Sequence, residues 1–142
     1  MELQDIKSVY FIGIGGIGMS AIARYFNHRG LIVAGYDKTT TVLTRKLEEE
    51  GMILHYKDDV EQIPNACRDP KSTLVVFTPA IPKDHKELNY FRNNGFEVQK
   101  RAQVLGILTR AHKGLCVAGT HGKTTTSTIC AHIMHQSHVD CN

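Results

Sequence analysis

The sequence predicts an α/β fold: a parallel sheet with helices on both faces, followed by the first strand, phosphate-binding loop and helix of a truncated second α/β domain. Three observations predict it. Short β-rich runs alternate with apolar residues at helical spacing, the pattern of parallel strands joined by right-handed crossovers. A glycine run, Gly13-Ile14-Gly15-Gly16-Ile17-Gly18, directly follows the first β-rich run. A second run, Gly119-Thr120-His121-Gly122-Lys123-Thr124-Thr125, follows the last one.

The elements follow in order. Val9 to Ile12 is a short strand ending in glycines. Ile17, Ala21, Ile22, Tyr25 and Phe26 recur at helical spacing, and Gly30 stops that helix. Leu31 to Tyr36 is a second strand. Val42, Leu43 and Leu47 mark a second helix with Gly51 beyond its end, and a weaker strand follows at Ile53 to His55. Leu74-Val75-Val76-Phe77 is continuously apolar, as a strand covered on both faces is. Asp84 and Glu87 have the spacing of a capping box that opens a helix through Leu88 and Phe91. Phe96 to Val98 is a short strand, and Val104, Leu105, Leu108 and Ala111 give another helix. Leu115 to Ala118 is a last strand, with a helix from about Thr124 onward.

The bulk properties narrow the function. The chain has 142 residues, enough for a compact domain with a real core, and 42% of them are hydrophobic. A net charge of +3, scattered along the chain, does not point to nucleic acid. No apolar run approaches the roughly 20 residues that span a bilayer. The start, Met1-Glu2-Leu3-Gln4-Asp5, lacks the basic and apolar regions of a signal peptide, so a cytoplasmic location is expected. Cys67, Cys116, Cys130 and Cys141 form no CxxC pair and read as reduced packing residues.

The first glycine run fits G-x-G-x-x-G in the context that gives the pattern meaning, after a strand and before a helix. Small residues let the backbone approach a diphosphate, and a helix N-terminus offers free N–H groups and partial positive charge. Asp37 ends the second strand, 19 residues after Gly18, where a carboxylate accepts from ribose hydroxyls. The pattern alone suggests NAD.

In the second run, Gly122-Lys123-Thr124 is the core of a phosphate loop. Backbone N–H groups cradle phosphates there, Lys123 neutralises β and γ charge, and the Thr124 hydroxyl sits on Mg²⁺. Val117 stands where the standard pattern has its first glycine, so the loop is a variant. Two phosphate sites in one chain suggest two nucleotides, one hydrolysed and one a carrier on the substrate. An NAD-dependent dehydrogenase would leave Lys123 without a task. A non-catalytic nucleotide-binding module remains the other alternative.

Gly13-Ile14-Gly15-Gly16-Ile17-Gly18-Met19-Ser20, taken with Gly119-Thr120-His121-Gly122-Lys123-Thr124-Thr125-Thr126, resembles the Mur ligases. Thr78-Pro79-Ala80-Ile81, Glu87, Arg101-Ala102 and Leu105 fit as well, and the resemblance covers essentially the whole chain. The form of the first run is similar to the members that join L-alanine to UDP-N-acetylmuramate through an acyl phosphate, at the expense of ATP. Ala21 departs from the family's usual glycine. Pro79 removes a hydroxyl expected to touch the UDP moiety.

The resemblance implies a Rossmann-like, UDP-substrate-binding domain over residues 1–107 and the start of an ATP-binding central domain over 108–142. It implies a three-domain enzyme of roughly three times this length, of which the chain is a piece inactive alone. Gly15, Gly16, Ile17, Gly18, Met19 and Ser20 would face the UDP diphosphate, and Asp37 the uridine end. Thr78, Ala80 and Ile81 would line the same cleft. Gly119 through Thr125 would bind ATP, with Lys123 and Thr124 serving catalysis and Thr124 holding Mg²⁺ through ATP.

Other residues invite weaker readings. His132, His135, His138 and Cys141 recur every third position, a spacing that on a helix cannot bring all four to one face; solvated histidines are expected rather than a metal site. Ile129, Cys130, Ile133 and Met134 form an apolar stripe expected to pack in a core, or to dock on a second copy as a dimer. His121 is expected to contact nucleotide. Glu87 is balanced between a cap and a substrate contact. Arg101 is a candidate for orienting substrate, while Lys7, Arg24 and Arg29 read as surface.

Overall fold

The computed structural model describes residues 5–110 and 113–137. The expectations for Ala111, His138 and Cys141 therefore lie outside the described residues. The chain divides into two compact units, Met1–Ile107 and Leu108–Asn142.

The first unit is built on five strands: β1 (Ser8–Ile12), β2 (Ile32–Tyr36), β3 (Ile53–His55), β4 (Thr73–Phe77) and β5 (Glu97–Lys100). They form one sheet in the order β3-β2-β1-β4-β5, and every neighbouring pair is parallel. The connecting helices are α1 (Ile17–His28), α2 (Val42–Glu49) and α3 (Lys86–Asn93), and α4 (Arg101–Arg110) follows β5 directly. Two 3₁₀ turns, Val60–Gln62 and Asn65–Cys67, lie between β3 and β4. The chain winds outward from β1 through β2 to β3, then returns to the far side of β1 as β4 and β5. The reversal falls between β1 and β4. Loops leaving the carboxyl ends of those strands diverge there, which opens a crevice above the sheet.

β1 and β4 are buried along their whole length, which accounts for their unbroken apolar sequences. Alternation along the strands sends their side chains to two layers. Tyr10, Ile12, Ala34, Tyr36, Val75 and Phe77 pack on one face against Leu88 and Phe91 of α3, with Ile63, Cys67 and Phe96. On the other face Phe11 meets Phe26 of α1 with ring centroids 6.5 Å apart. Helices thus cover both faces, as the sequence predicts. Cys67 is fully buried, and burial pushes its thiol up to about 11. Cys67, Cys116 and Cys130 are free thiols; the first is core, and Cys116 is exposed rather than packed. Arg24 forks onto Glu50 across α1 and the end of α2, and that hydrogen bond holds the Glu50 carboxyl below its usual range. The pair is on the surface and explains Arg24 without a ligand.

Two expectations need correction. Asp84 does not cap α3. The N-cap is His85, whose Nδ1 accepts from the Leu88 N–H at 3.4 Å, while the Lys86 and Glu87 N–H groups donate to Asp58 at 2.9 and 3.1 Å. A carboxylate 28 residues upstream supplies the cap, so the local spacing of Asp84 and Glu87 misleads. Leu115 to Ala118 is not a strand, because a strand needs a hydrogen-bonded neighbour and none exists among the described residues.

The second unit contains a non-regular run leading to α5 (Lys123–Gln136). Ile129 and Ile133 are exposed in it, at 55% and 58%, so the expected core packing of that stripe is not present among the described residues.

Candidate functional site

The first glycine loop crosses from β1 back over β2. Gly13 and Ile14 both donate to the Tyr36 carbonyl, at 2.8 and 3.1 Å, which pins the loop to the end of β2. Gly13 has φ +89°, a conformation glycine adopts without strain. Gly15 donates to Asp37 Oδ2 at 2.7 Å, and Thr39 donates to Asp37 Oδ1 at 3.0 Å. Asp37 is itself fixed, its N–H donating to the His55 carbonyl at 3.1 Å. The carboxylate that the sequence assigns to ribose thus braces the glycine loop. A Cβ on Gly15 would lie 2.8 Å from both Asp37 Oδ2 and Thr44 Cγ2, so no larger residue fits without moving them. Thr44 reaches that position because it shares a reciprocal cap with Thr41 at the start of α2.

α1 begins with Gly16 as N-cap and no side-chain cap. Met19 and Ser20 both donate to the Gly16 carbonyl, at 3.0 and 2.8 Å. Their side chains are buried, and Ser20 Oγ donates to the Ile17 carbonyl at 2.9 Å. These two residues secure the helix start from within. The N–H groups of Ile17 and Gly18 make no hydrogen bond among the described residues, and no acidic residue stands in the first turn. Orphan donors at a helix start attract anions.

A cation joins them. Arg101 opens α4 at the carboxyl end of β5, and its guanidinium lies against the Gly18 Cα, where a Cβ would overlap it. Spacing along the chain gave Arg101 no more than a candidate role, and it gave Thr44 none. Both reach the loop through the topology.

The β4–α3 segment forms the opposite wall. Thr78 and Ile81 flank Gly13, whose Cβ would come within 3.3 Å of Ile81 Cδ1 and 3.9 Å of Thr78 Oγ1. Ala80 is exposed on the same segment. The structure therefore brings Gly15, Gly16, Ile17, Gly18, Asp37, Thr78, Ala80 and Ile81 to one edge of the sheet, over the crevice.

Beneath this wall lies a knot of buried polar groups. Glu87 is fully buried; Oε2 accepts from the Tyr10 hydroxyl at 2.7 Å, and Oε1 meets His55 Nε2 at 2.8 Å and the Asp59 N–H at 3.0 Å. Burial first, then the Glu87 charge, pushes the Tyr10 hydroxyl well above the usual phenol range, so Tyr10 stays a donor. Asp58, His85 and Glu87 lie close enough to suggest a metal. Their oxygens are already occupied by N–H and O–H donors, so the group is a helix cap joined to a buried hydrogen-bonded His55–Glu87 pair. Glu87 takes neither role weighed for it: it neither caps nor reaches the crevice.

In the second unit Gly122 has φ +75° and ends the loop, and Lys123 Nζ folds back to donate to the Gly119 carbonyl at 2.7 Å. The N–H groups of Lys123, Thr124 and Thr125 make no hydrogen bond among the described residues, and the first turn of α5 carries no acid. His121 is exposed. This is a second helix start open to phosphate.

Fold and loops define a Rossmann-like domain with open helix N–H groups at its switch point, followed by a Gly-Lys-Thr loop that opens a second helix. A family model described as Mur ligase family, catalytic domain, matches residues 8–113. The chain belongs to the Mur ligase family. A UDP-N-acetylmuramate–L-alanine ligase of Phocaeicola vulgatus is 64% identical over 142 residues, covering 100% of this chain and 31% of its own length. One of Porphyromonas gingivalis is 60% identical over 137 residues, covering 96% of this chain and 30% of its own length. A crystal structure of UDP-N-acetylmuramate-alanine ligase from Thermotoga maritima aligns with TM-score 0.78 and 31% identity, over 90% of this chain and 29% of that one. A murein peptide ligase from Psychrobacter arcticus aligns with TM-score 0.80 and 26% identity, over 92% of this chain and 27% of that one. The chain spans about a third of the length of its curated relatives.

Proposed function

We propose that this chain is the UDP-binding domain and the beginning of the ATP-binding domain of a cytoplasmic ligase that joins L-alanine to UDP-N-acetylmuramate for peptidoglycan synthesis. The observation that carries the reading is the cradle formed by the Ile17 and Gly18 N–H groups and the Arg101 guanidinium, which faces the switch point. Two donors and a delocalised cation suit a diphosphate. Asp37 stands beyond Gly15, where the nucleoside of the same ligand would reach, and Thr78, Ala80 and Ile81 form the wall across from it.

The second loop fits ATP. Its three open N–H groups suit phosphate oxygens, Lys123 is free to exchange the Gly119 carbonyl for a phosphate, and the exposed Thr124 hydroxyl suits Mg²⁺. ATP, when bound, supplies the phosphoryl group that makes an acyl phosphate of the muramoyl carboxylate, from which the L-alanine amine displaces phosphate. The names of the relatives at 64% and 60% identity support L-alanine as the amino acid, ahead of the peptide used by more distant structural neighbours.

Separate loops for separate ligands give a test. In the 142-residue chain, Lys123→Ala leaves UDP-N-acetylmuramate affinity by calorimetry within about twofold of the parent, the range for independent sites. A large loss would mean that one composite site, not two, holds the substrate.

A further inference from the structure

The buried Glu87–His55 pair is the part of the molecule that the proposed function leaves unused. A fully buried carboxylate is costly even when paired, and apolar residues of the same volume stabilise a core as well or better. Its connections show what it does. His55 gives its carbonyl to the Asp37 N–H at 3.1 Å, and Asp37 holds the Gly15 N–H at 2.7 Å. Glu87 lies in the first turn of α3, which follows the segment bearing Thr78 and Ile81. Tyr10, its third partner, belongs to β1 beneath the glycine loop. The Tyr36 ring, next to Asp37, sits edge-on to the His85 ring at 4.7 Å between centroids, and closes the same circuit.

We propose that Glu87 and His55 are positioning residues, which set the distance between the two walls of the crevice by tying the Asp37–Gly15 brace to the base of the 78–85 segment. Neither touches the ligand. Charge-assisted bonds in a dry core have narrow geometry, whereas apolar contacts tolerate sliding. The pair therefore trades stability for a fixed cleft width. This rests on the reading that the crevice takes a UDP-linked ligand.

Glu87→Gln keeps the shape and two of the acceptor contacts. It should weaken UDP binding by the folded chain about tenfold, a coupling usual between groups in one network. Amide exchange at Gly15 and Asp37 should rise more than at Tyr10. His55→Gln, which can still donate toward Glu87, should restrict the loss and provides the second variant should Glu87→Gln not fold. Ser8→Ala serves as the control: Ser8 is buried at the other end of β1, bonded to the Ala66 carbonyl and paired with Thr73. It should lower the urea midpoint with UDP affinity unchanged. If Glu87→Gln lowers the midpoint as Ser8→Ala does, with UDP affinity and relative exchange unchanged, the pair is merely structural and the proposal is overturned. If the parent chain takes up no UDP, the substrate reading fails instead, and exchange at Gly15 and Asp37 in the unliganded variants still decides the positioning.

Discussion

Gly35→Ala costs the first unit about 3 kcal/mol of stability, at the upper end of what forced overpacking does. Gly35 pairs with Phe11 in the centre of the sheet. A Cβ there would lie 2.5 Å from the Phe11 carbonyl oxygen, 3.1 Å from Phe11 Cβ and 3.2 Å from Ile14 Cβ. The nearest obstacle is the backbone of a buried neighbouring strand, which cannot swing aside as a side chain tip can. The missing side chain is what lets the first glycine loop pass over β2 with Ile14 packed beneath it. Urea unfolding followed by circular dichroism reads the change. An unchanged midpoint would show that β1 and β2 have slack which this packing denies.

Asp37→Ala gives the largest expected loss of binding. The substitution removes the acceptor proposed for the nucleoside and also releases the Gly15 and Thr39 N–H groups. UDP-N-acetylmuramate affinity should fall by roughly 1.5–3 kcal/mol, the range for hydrogen bonds to a charged group. Asp37→Asn retains one oxygen for Gly15 and should lose less. Calorimetry on both variants measures the order. Equal losses would mean that the charge of Asp37, not its brace on the loop, is what the ligand feels.

Much of the fold was readable in the sequence because its signals are local. β1, the glycine loop and α1 announce themselves through glycine spacing and helical periodicity, and β4 through an unbroken apolar run. The failures share a cause: each involves partners far apart in the chain. The α3 cap comes from Asp58, not from Asp84. Glu87, balanced in the sequence between a cap and a substrate contact, is tied instead to Tyr10 and His55, residues 77 and 32 positions away. Arg101 reaches Gly18 only because β5 and β1 end on the same edge of the sheet. Leu115 to Ala118 has the composition of a strand, but composition supplies no neighbour. The glycine pattern could not separate NAD from a UDP-linked ligand, since both carry a diphosphate of the kind that suits a helix start.

NAD and a UDP-sugar are therefore the two ligands to separate. Titration calorimetry of the 142-residue chain with UDP-N-acetylmuramate and, separately, with NAD distinguishes them. If the first glycine loop takes a UDP-linked ligand, binding of the UDP-sugar is saturable and weakened by Asp37→Ala, with no comparable uptake of NAD. Tight binding of NAD with no binding of UDP-N-acetylmuramate would contradict that assignment.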